Sequence, residues 1–207
     1  SLQIRRELGD KWGIAGLLNN LGNIAGEQGA YDEARQLFQE SLQIRRELGN
    51  KQGIADSLNN LGIIALEQEV YDEARQFLAE SLQIRRELGD KWGIAISLND
   101  LGETAQFQGA YDEARQLFTE SLQIRRELGD KWGIADSLNN LGTIARKQGD
   151  YNKAKQFLTE SLKIKRELGD KRGIGESLLQ FGKLAEAEGN SAQAVLFLIA
   201  ATSLYEE

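Results

Sequence analysis

Residues 1–10, SLQIRRELGD, return at Ser41 with Asn50 in place of the aspartate, unchanged at Ser81 and Ser121, and as SLKIKRELGD at Ser161. The step is forty residues each time. A fixed period of this size is the mark of stacked supersecondary units, none of which can bury its apolar face alone. It argues against a globular domain built round one central cavity and places function on the long surface of the stack. Length alone would allow the 207 residues one or two compact domains. The repeat instead predicts a single array over 1–207. It begins with the end of a truncated repeat at 1–9, continues with repeats at 10–49, 50–89, 90–129 and 130–169, and finishes with a divergent C-terminal repeat at 170–207. The chain opens without methionine in the middle of a repeat, so we expect a fragment of a longer protein.

Within 10–49 two helices are predicted. Ile14, Leu18, Leu21 and Ala25 recur at helical spacing, after Asp10 as N-cap and before Gly29 as a left-handed C-terminal residue. A second helix starts near Tyr31. Asp32 and Glu33 stand in its first turn and Arg45 and Arg46 near its last, the signs that the helix dipole favours. Its buried side is read as Ala34, Leu37, Phe38, Leu42 and Leu48. Helix A is expected over about 11–28 and helix B over about 31–48, repeating at forty, and no window shows the period-two alternation of a strand. Gly22 and its counterparts Gly62, Gly102, Gly142 and Gly182 sit inside helix A, where glycine costs about 1 kcal/mol relative to alanine, so a close approach of helices A and B is expected there. Glu69 stands where the other units have the turn glycine, and either strain or a different turn is expected at that position.

Leu21-Gly22 in helix A, Gly29 with Tyr31 at the turn, and Ala34 with Phe38 in helix B form a combination that resembles the tetratricopeptide repeat. Leu-Gly returns at 61, 101 and 141, and as Phe181-Gly182 in the last unit. The period is forty rather than thirty-four, and the proline after helix B is missing. With the sequences Asn-Asn-Leu and Arg-Glu-Leu-Gly-Asp the chain resembles the long-repeat branch of kinesin light chains, Pins-type adaptors and bacterial multidomain ATPase regulators. The resemblance implies an all-α solenoid, a right-handed superhelix of antiparallel helix pairs, with a concave face of A helices on which peptides bind.

The repeats serve as their own alignment. Positions 16, 19, 23 and 26 lie on one face of helix A. Of these, 16, 23 and 26 vary freely between units, while Asn19, Asn59, Asn99 and Asn139 persist, followed by Asn20, Asn60, Asp100 and Asn140. Asparagine inside a helix costs roughly 0.6 kcal/mol relative to alanine, so a compensating role is expected. One is contact with the main chain of an extended peptide, since an amide both donates and accepts. The other is an internal ladder between neighbouring helices. Both readings stay open. With Asn23, Ile63, Glu103 and Thr143 on the varied part of the face, these residues form the candidate peptide-binding set. Trp12, Trp92 and Trp132 share one position, where packing on the preceding helix B is favoured over anchoring a ligand. Glu27, Asp56, Glu67, Asp100 and Glu103 make the first three units acidic, and Arg146, Lys147 and Lys183 reverse the sign later.

The last helix departs from the repeat. Val195, Phe197, Leu198, Ile199 and Leu204 spread apolar surface around it, and some of Val195, Phe197, Ile199 and Leu204 are expected to stay exposed. That surface could cap the array, dock a partner, or support a weak homo-oligomer. The chain contains no cysteine or histidine, and no phosphate loop or nucleophile–base pair is visible. The expectation is a non-enzymatic protein-binding scaffold with no cofactor and no metal. A self-assembly module and the sensor arm of a larger regulatory ATPase are the alternatives. The net charge of −7 argues against nucleic acid. The longest apolar stretch, 192–204, is too short to cross a membrane. No secretion signal opens the chain, so the cytoplasm is expected.

Overall fold

The computed structural model describes residues 2–203. Among them are eleven helices: α1 Leu2–Glu7, α2 Lys11–Glu27, α3 Tyr31–Glu47, α4 Lys51–Glu67, α5 Tyr71–Leu88, α6 Lys91–Phe107, α7 Tyr111–Leu128, α8 Lys131–Lys147, α9 Tyr151–Leu168, α10 Lys171–Ala187 and α11 Ser191–Ser203. No strand occurs among the described residues. The even-numbered helices are the A helices and the odd-numbered ones the B helices, with bounds within a residue or so of those expected. The chain divides at Gln108/Gly109 into two compact units.

The boundaries follow from local chemistry. Each A helix from α2 to α10 starts at an aspartate or asparagine whose side chain accepts from the backbone N–H three residues on, for example Gly13 N to Asp10 Oδ1 at 2.9 Å and Gly53 N to Asn50 Oδ1 at 3.1 Å. After helix B, a left-handed glycine turns the chain. At Gly89 (φ 67°) the following Asp90 N–H donates to Arg85 O at 3.0 Å, closing the last turn. Glu69 adopts φ 60°, the same left-handed conformation as the glycines it replaces. The strained alternative is therefore the one observed, since a side chain there meets the crowding that glycine escapes.

Three contacts hold a repeat together. Leu18, Leu58, Leu98 and Leu138 are fully buried on the A helices. Gly22 and Gly62 let the paired B helix come in close: a Cβ at Gly22 would lie 2.6 Å from Phe38 Cε1, and one at Gly62 2.5 Å from Leu78 Cγ. Ser41 Oγ donates to Ala15 O at 2.9 Å, and Ser81 Oγ to Ala55 O at 2.9 Å, so the close seam is hydrogen-bonded as well as apolar. The following A helix then packs on each B helix from α1 to α9. In unit 1, Leu61 and Ile64 of α4 complete a core with Ala34, Phe38 and Leu42 of α3. Leu21 and Ile24, at the matching positions of α2, are exposed because only the six-residue α1 precedes that helix.

The terminal helix α11 follows its expectation in part. Val195 and Ile199 are exposed, as are Leu196 and Leu198. Phe197 is instead half-buried and stacks on Phe181 with centroids 5.3 Å apart. Leu204 lies outside the described residues. No helix among the described residues is long and apolar enough to cross a membrane.

Candidate functional site

Successive A helices touch directly within each unit: α2 meets α4 and α4 meets α6 in unit 1, and α8 meets α10 in unit 2. B helices reach their successors through long surface side chains, as in the 2.9 Å pair of Arg46 and Glu80. The A-helix side is therefore the inner side of each unit. The candidate residues all lie on A helices.

The asparagines split into two groups. Asn59 is 4% exposed and both ends of its amide are engaged: Nδ2 donates to Asp100 Oδ2 at 2.8 Å, and Oδ1 accepts from Ser97 Oγ at 3.1 Å. Asn60 Nδ2 donates to Asn19 Oδ1 at 3.1 Å and to Asn23 Oδ1 at 3.4 Å. These bonds run from one A helix to the next, so the residues form a ladder in unit 1. Asn99 is also buried, and its Nδ2 donates to Glu103 Oε1 at 2.9 Å. Asn20 and Asn23 are exposed, Ile63 is exposed, and Asn60, Asp100 and Glu103 are half-buried. In unit 2, Asn139 and Asn140 are half-buried, and Thr143 is buried with its hydroxyl donating back to Asn139 O at 3.1 Å.

The tryptophans depart from the expectation. They do not pack away on a preceding B helix: Trp12 is 62% exposed, and Trp92 and Trp132 are exposed too. At 100° per residue, position 12 lies well off the buried stripe of Ile14, Leu18 and Ala25 and on the side of Asn19 and Asn23. It reaches the rim of the inner face. Beside Trp12 is a cleft of about 320 Å³ bordered by Gly16, Arg45, Gln52 and Asp56.

The dipole reading of the basic residue near the end of helix B missed a second role. Arg85, Arg125 and Lys165 are buried. Arg85 pairs with Asp56 at 3.2 Å, and Lys165 lies 3.6 Å from both Asp136 and Glu176. Arg45 donates to Gly53 O at 2.6 Å. Burial pushes the Asp56 carboxyl above its usual range, and Arg85 and Arg45 pull it back. Asp136 is raised in the same way and opposed by Lys165 and Arg125. Position 16, read as freely varying, thus supplies acids to these cations through its counterparts Asp56, Asp136 and Glu176. The signal was present: 34, 38, 41, 42 and 45 form one helical stripe, which places the cation on the buried side.

A second inner-face cleft, of about 390 Å³, lies between α2 and α4. Asn23, Gly26, Glu27, Tyr31, Ile63 and Glu67 are among the residues that border it. No group of three or more acidic residues among the described residues is placed to hold a metal ion.

Comparison with known proteins fits this geometry. The family model described as tetratricopeptide repeat matches at 13–87, 53–127, 93–167 and 133–207. No curated protein sequence matches the chain. Among solved structures, BtubC (BKLC) from P. vanneervenii superposes with a TM-score of 0.84 at 19% identity, over 100% of this chain and 87% of that one. A Rap protein complexed with Competence and Sporulation Factor gives 0.80 at 14% identity, over 92% of this chain and 54% of that one. The nearly identical TPR-like repeats of a putative kinesin light chain from Podosopora anserina give 0.71 at 16% identity, over 91% and 93%. At these identities the likenesses establish the fold. With the family model matched four times in overlapping windows from residue 13 to residue 207, the chain belongs to the tetratricopeptide-repeat family.

Proposed function

We propose that the chain is a non-enzymatic, cytoplasmic scaffold that holds a segment of another protein, without nucleic acid or membrane as partner, and that 1–207 acts as one array. The observation that carries this reading is the composition of the inner face. Trp12, Ile63, Trp92 and Phe107 are exposed there beside polar amides, a mixture of apolar anchors and hydrogen-bonding groups suited to a peptide. The Rap protein of like fold, crystallised with Competence and Sporulation Factor, is a precedent for a bound factor on this architecture.

The proposal assigns two jobs to the asparagine positions. Asn59 holds α4 and α6 in register, and buried Asn99 belongs to the same internal framework. Asn20, Asn23, Asn60, Ile63, Asp100 and Glu103, with Asn139, Asn140 and Thr143 in unit 2, supply the contact surface, and Asn19 serves both. The test is selection of binders from a displayed random-peptide library against the 207-residue chain. Ile63→Glu and Trp92→Ala should each weaken selected peptides, while Arg86→Ala, on a B helix, should not. Binders indifferent to both inner-face changes would refute the reading.

A second reading, weak self-association, rests on a separate observation. Val195, Leu196, Leu198 and Ile199 of α11 are exposed. A second copy packed on this apolar face would cover these side chains. Burying two or three such side chains is worth several kcal/mol at about 1.5–3 each. Sedimentation should show concentration-dependent association that Val195→Glu with Ile199→Glu abolishes. A monomer at the highest concentrations would refute it.

A further inference from the structure

We propose that the cleft between α2 and α4 is a pocket for one cationic side chain, a lysine or arginine of the bound segment; this deepens the peptide-scaffold reading and rests on it. Tyr31, Tyr71, Tyr111 and Tyr151 open the B helices α3, α5, α7 and α9. One repeat further on, the end of the next A helix presents Glu67, Phe107, Lys147 and Ala187. Within unit 1, Phe107 stacks on Tyr71 with centroids 6.1 Å apart and planes 6° from parallel. Within unit 2, Lys147 Nζ lies 5.7 Å from the centre of the Tyr111 ring. The chain thus covers one of these rings with an aromatic group and another with its own cation.

Among the described residues no aromatic or cationic side chain lies over the Tyr31 ring. Its partner position is Glu67, and a carboxylate is repelled by the negative face of an aromatic ring. Glu67 turns instead to the edge, where Tyr31 Oη donates to Glu67 Oε2 at 3.3 Å. The ring borders the cleft of about 390 Å³. Gly26 deepens that cleft, since the same position carries Leu66, Gln106, Arg146 and Glu186 in the other units. Glu27 and Glu67 flank it, and neither has a cationic partner among the described residues.

A cation fits each part of this site. The ring attracts it, as the Lys147–Tyr111 contact shows within the same chain. The two carboxylates neutralise it, the amides of Asn23 and Asn60 border its head, and Ile63 and Ile64 border its aliphatic stem. The fourth unit serves as an internal control. Three repeats on from Glu27 and Ile63 the chain carries Lys147 and Lys183, and this pair makes a cationic partner unfavourable at the corresponding place.

The test is an NMR titration of the full chain with Nα-acetyl-arginine N-methylamide and Nα-acetyl-lysine N-methylamide, using the norleucine analogue as the neutral probe. The cationic probes should shift the amides of Gly22, Gly26 and Ile63, and the neutral probe should bind them roughly threefold to tenfold more weakly. Glu27→Gln with Glu67→Gln should remove that difference. Glu67→Lys, which copies the internal cover of Tyr111 at an exposed position, should abolish the shifts with helicity unchanged. Equal binding of the neutral probe, or undiminished binding of the cations to Glu67→Lys, overturns the proposal. Library peptides that bind the inner face without any preference for basic residues would overturn this pocket and leave the scaffold standing. Cation shifts with no peptide binding would do the reverse.

Discussion

The helix A glycines permit a comparison in which one substitution has unequal consequences at two equivalent positions. At Gly62 an alanine Cβ would lie 2.5 Å from Leu78 Cγ and 2.7 Å from Leu78 Cδ2. Leu78 is fully buried and cannot move aside freely. At Gly182 the nearest atoms are Cγ and Cδ2 of Leu198 at 3.4 Å, which is ordinary contact, and Leu198 is partly exposed. Alanine gains about 1 kcal/mol of helix propensity at either place. Overpacking at 62 costs about 1–3 kcal/mol. Gly62→Ala should therefore range from neutral to about 2 kcal/mol destabilising, and Gly182→Ala should stabilise by about 0.5–1 kcal/mol. Repeat arrays need not unfold in one step, so the suitable assay is amide hydrogen exchange read in α4 and α5 for the first variant and in α10 and α11 for the second. Equal effects of the same sign in both would refute the argument that a buried leucine at close range sets the need for glycine.

Three further outcomes are expected. Asn59→Ala removes its bonds to Ser97 Oγ and Asp100 Oδ2, at about 0.5–1.5 kcal/mol each against roughly 0.6 regained from propensity, so the denaturation midpoint should fall; an unchanged midpoint would show that the ladder carries no weight. Glu69→Gly should stabilise by about 0.5–1 kcal/mol by releasing a side chain from the left-handed region, and a loss of stability would contradict it. Hydrogen bonds from Lys11 and Lys51 hold the Glu47 and Glu87 carboxyls below the usual range. Groups depressed in the folded state contribute stability above their unfolded pKa and lose it as pH falls through the folded value. The wild type should therefore lose more stability than Lys11→Gln with Lys51→Gln between neutral pH and the region below the ordinary glutamate value of 4.5, and identical acid losses would contradict the assignment.

Much of the architecture was legible because it depends on local signals repeated five times. Asp10, Gly29 and the stripe of Ile14, Leu18 and Ala25 place helix A without reference to anything distant, and Glu69 marks its own strained turn. What was not legible depends on the neighbour. The burial of Leu61 and the exposure of Leu21 differ only by what precedes them. Asn59 and Asn60 adjoin in sequence, yet Asn59 is buried in the seam between A helices and Asn60 stays half-buried at its edge. Arg85 looks like a dipole partner until Asp56 is placed beside it. The open ring of Tyr31 can be recognised only once Phe107 and Lys147 are known to cover its counterparts.

The most direct test of the central claim is the footprint of a library-selected peptide on the isotopically labelled chain. The account predicts that amide shifts concentrate on the open faces of the A helices, at Asn23, Asn60, Ile63 and Glu103, with the B-helix surface of Arg46, Glu80 and Arg86 unmoved. Shifts concentrated on that B-helix surface, with the A-helix faces silent, would contradict it.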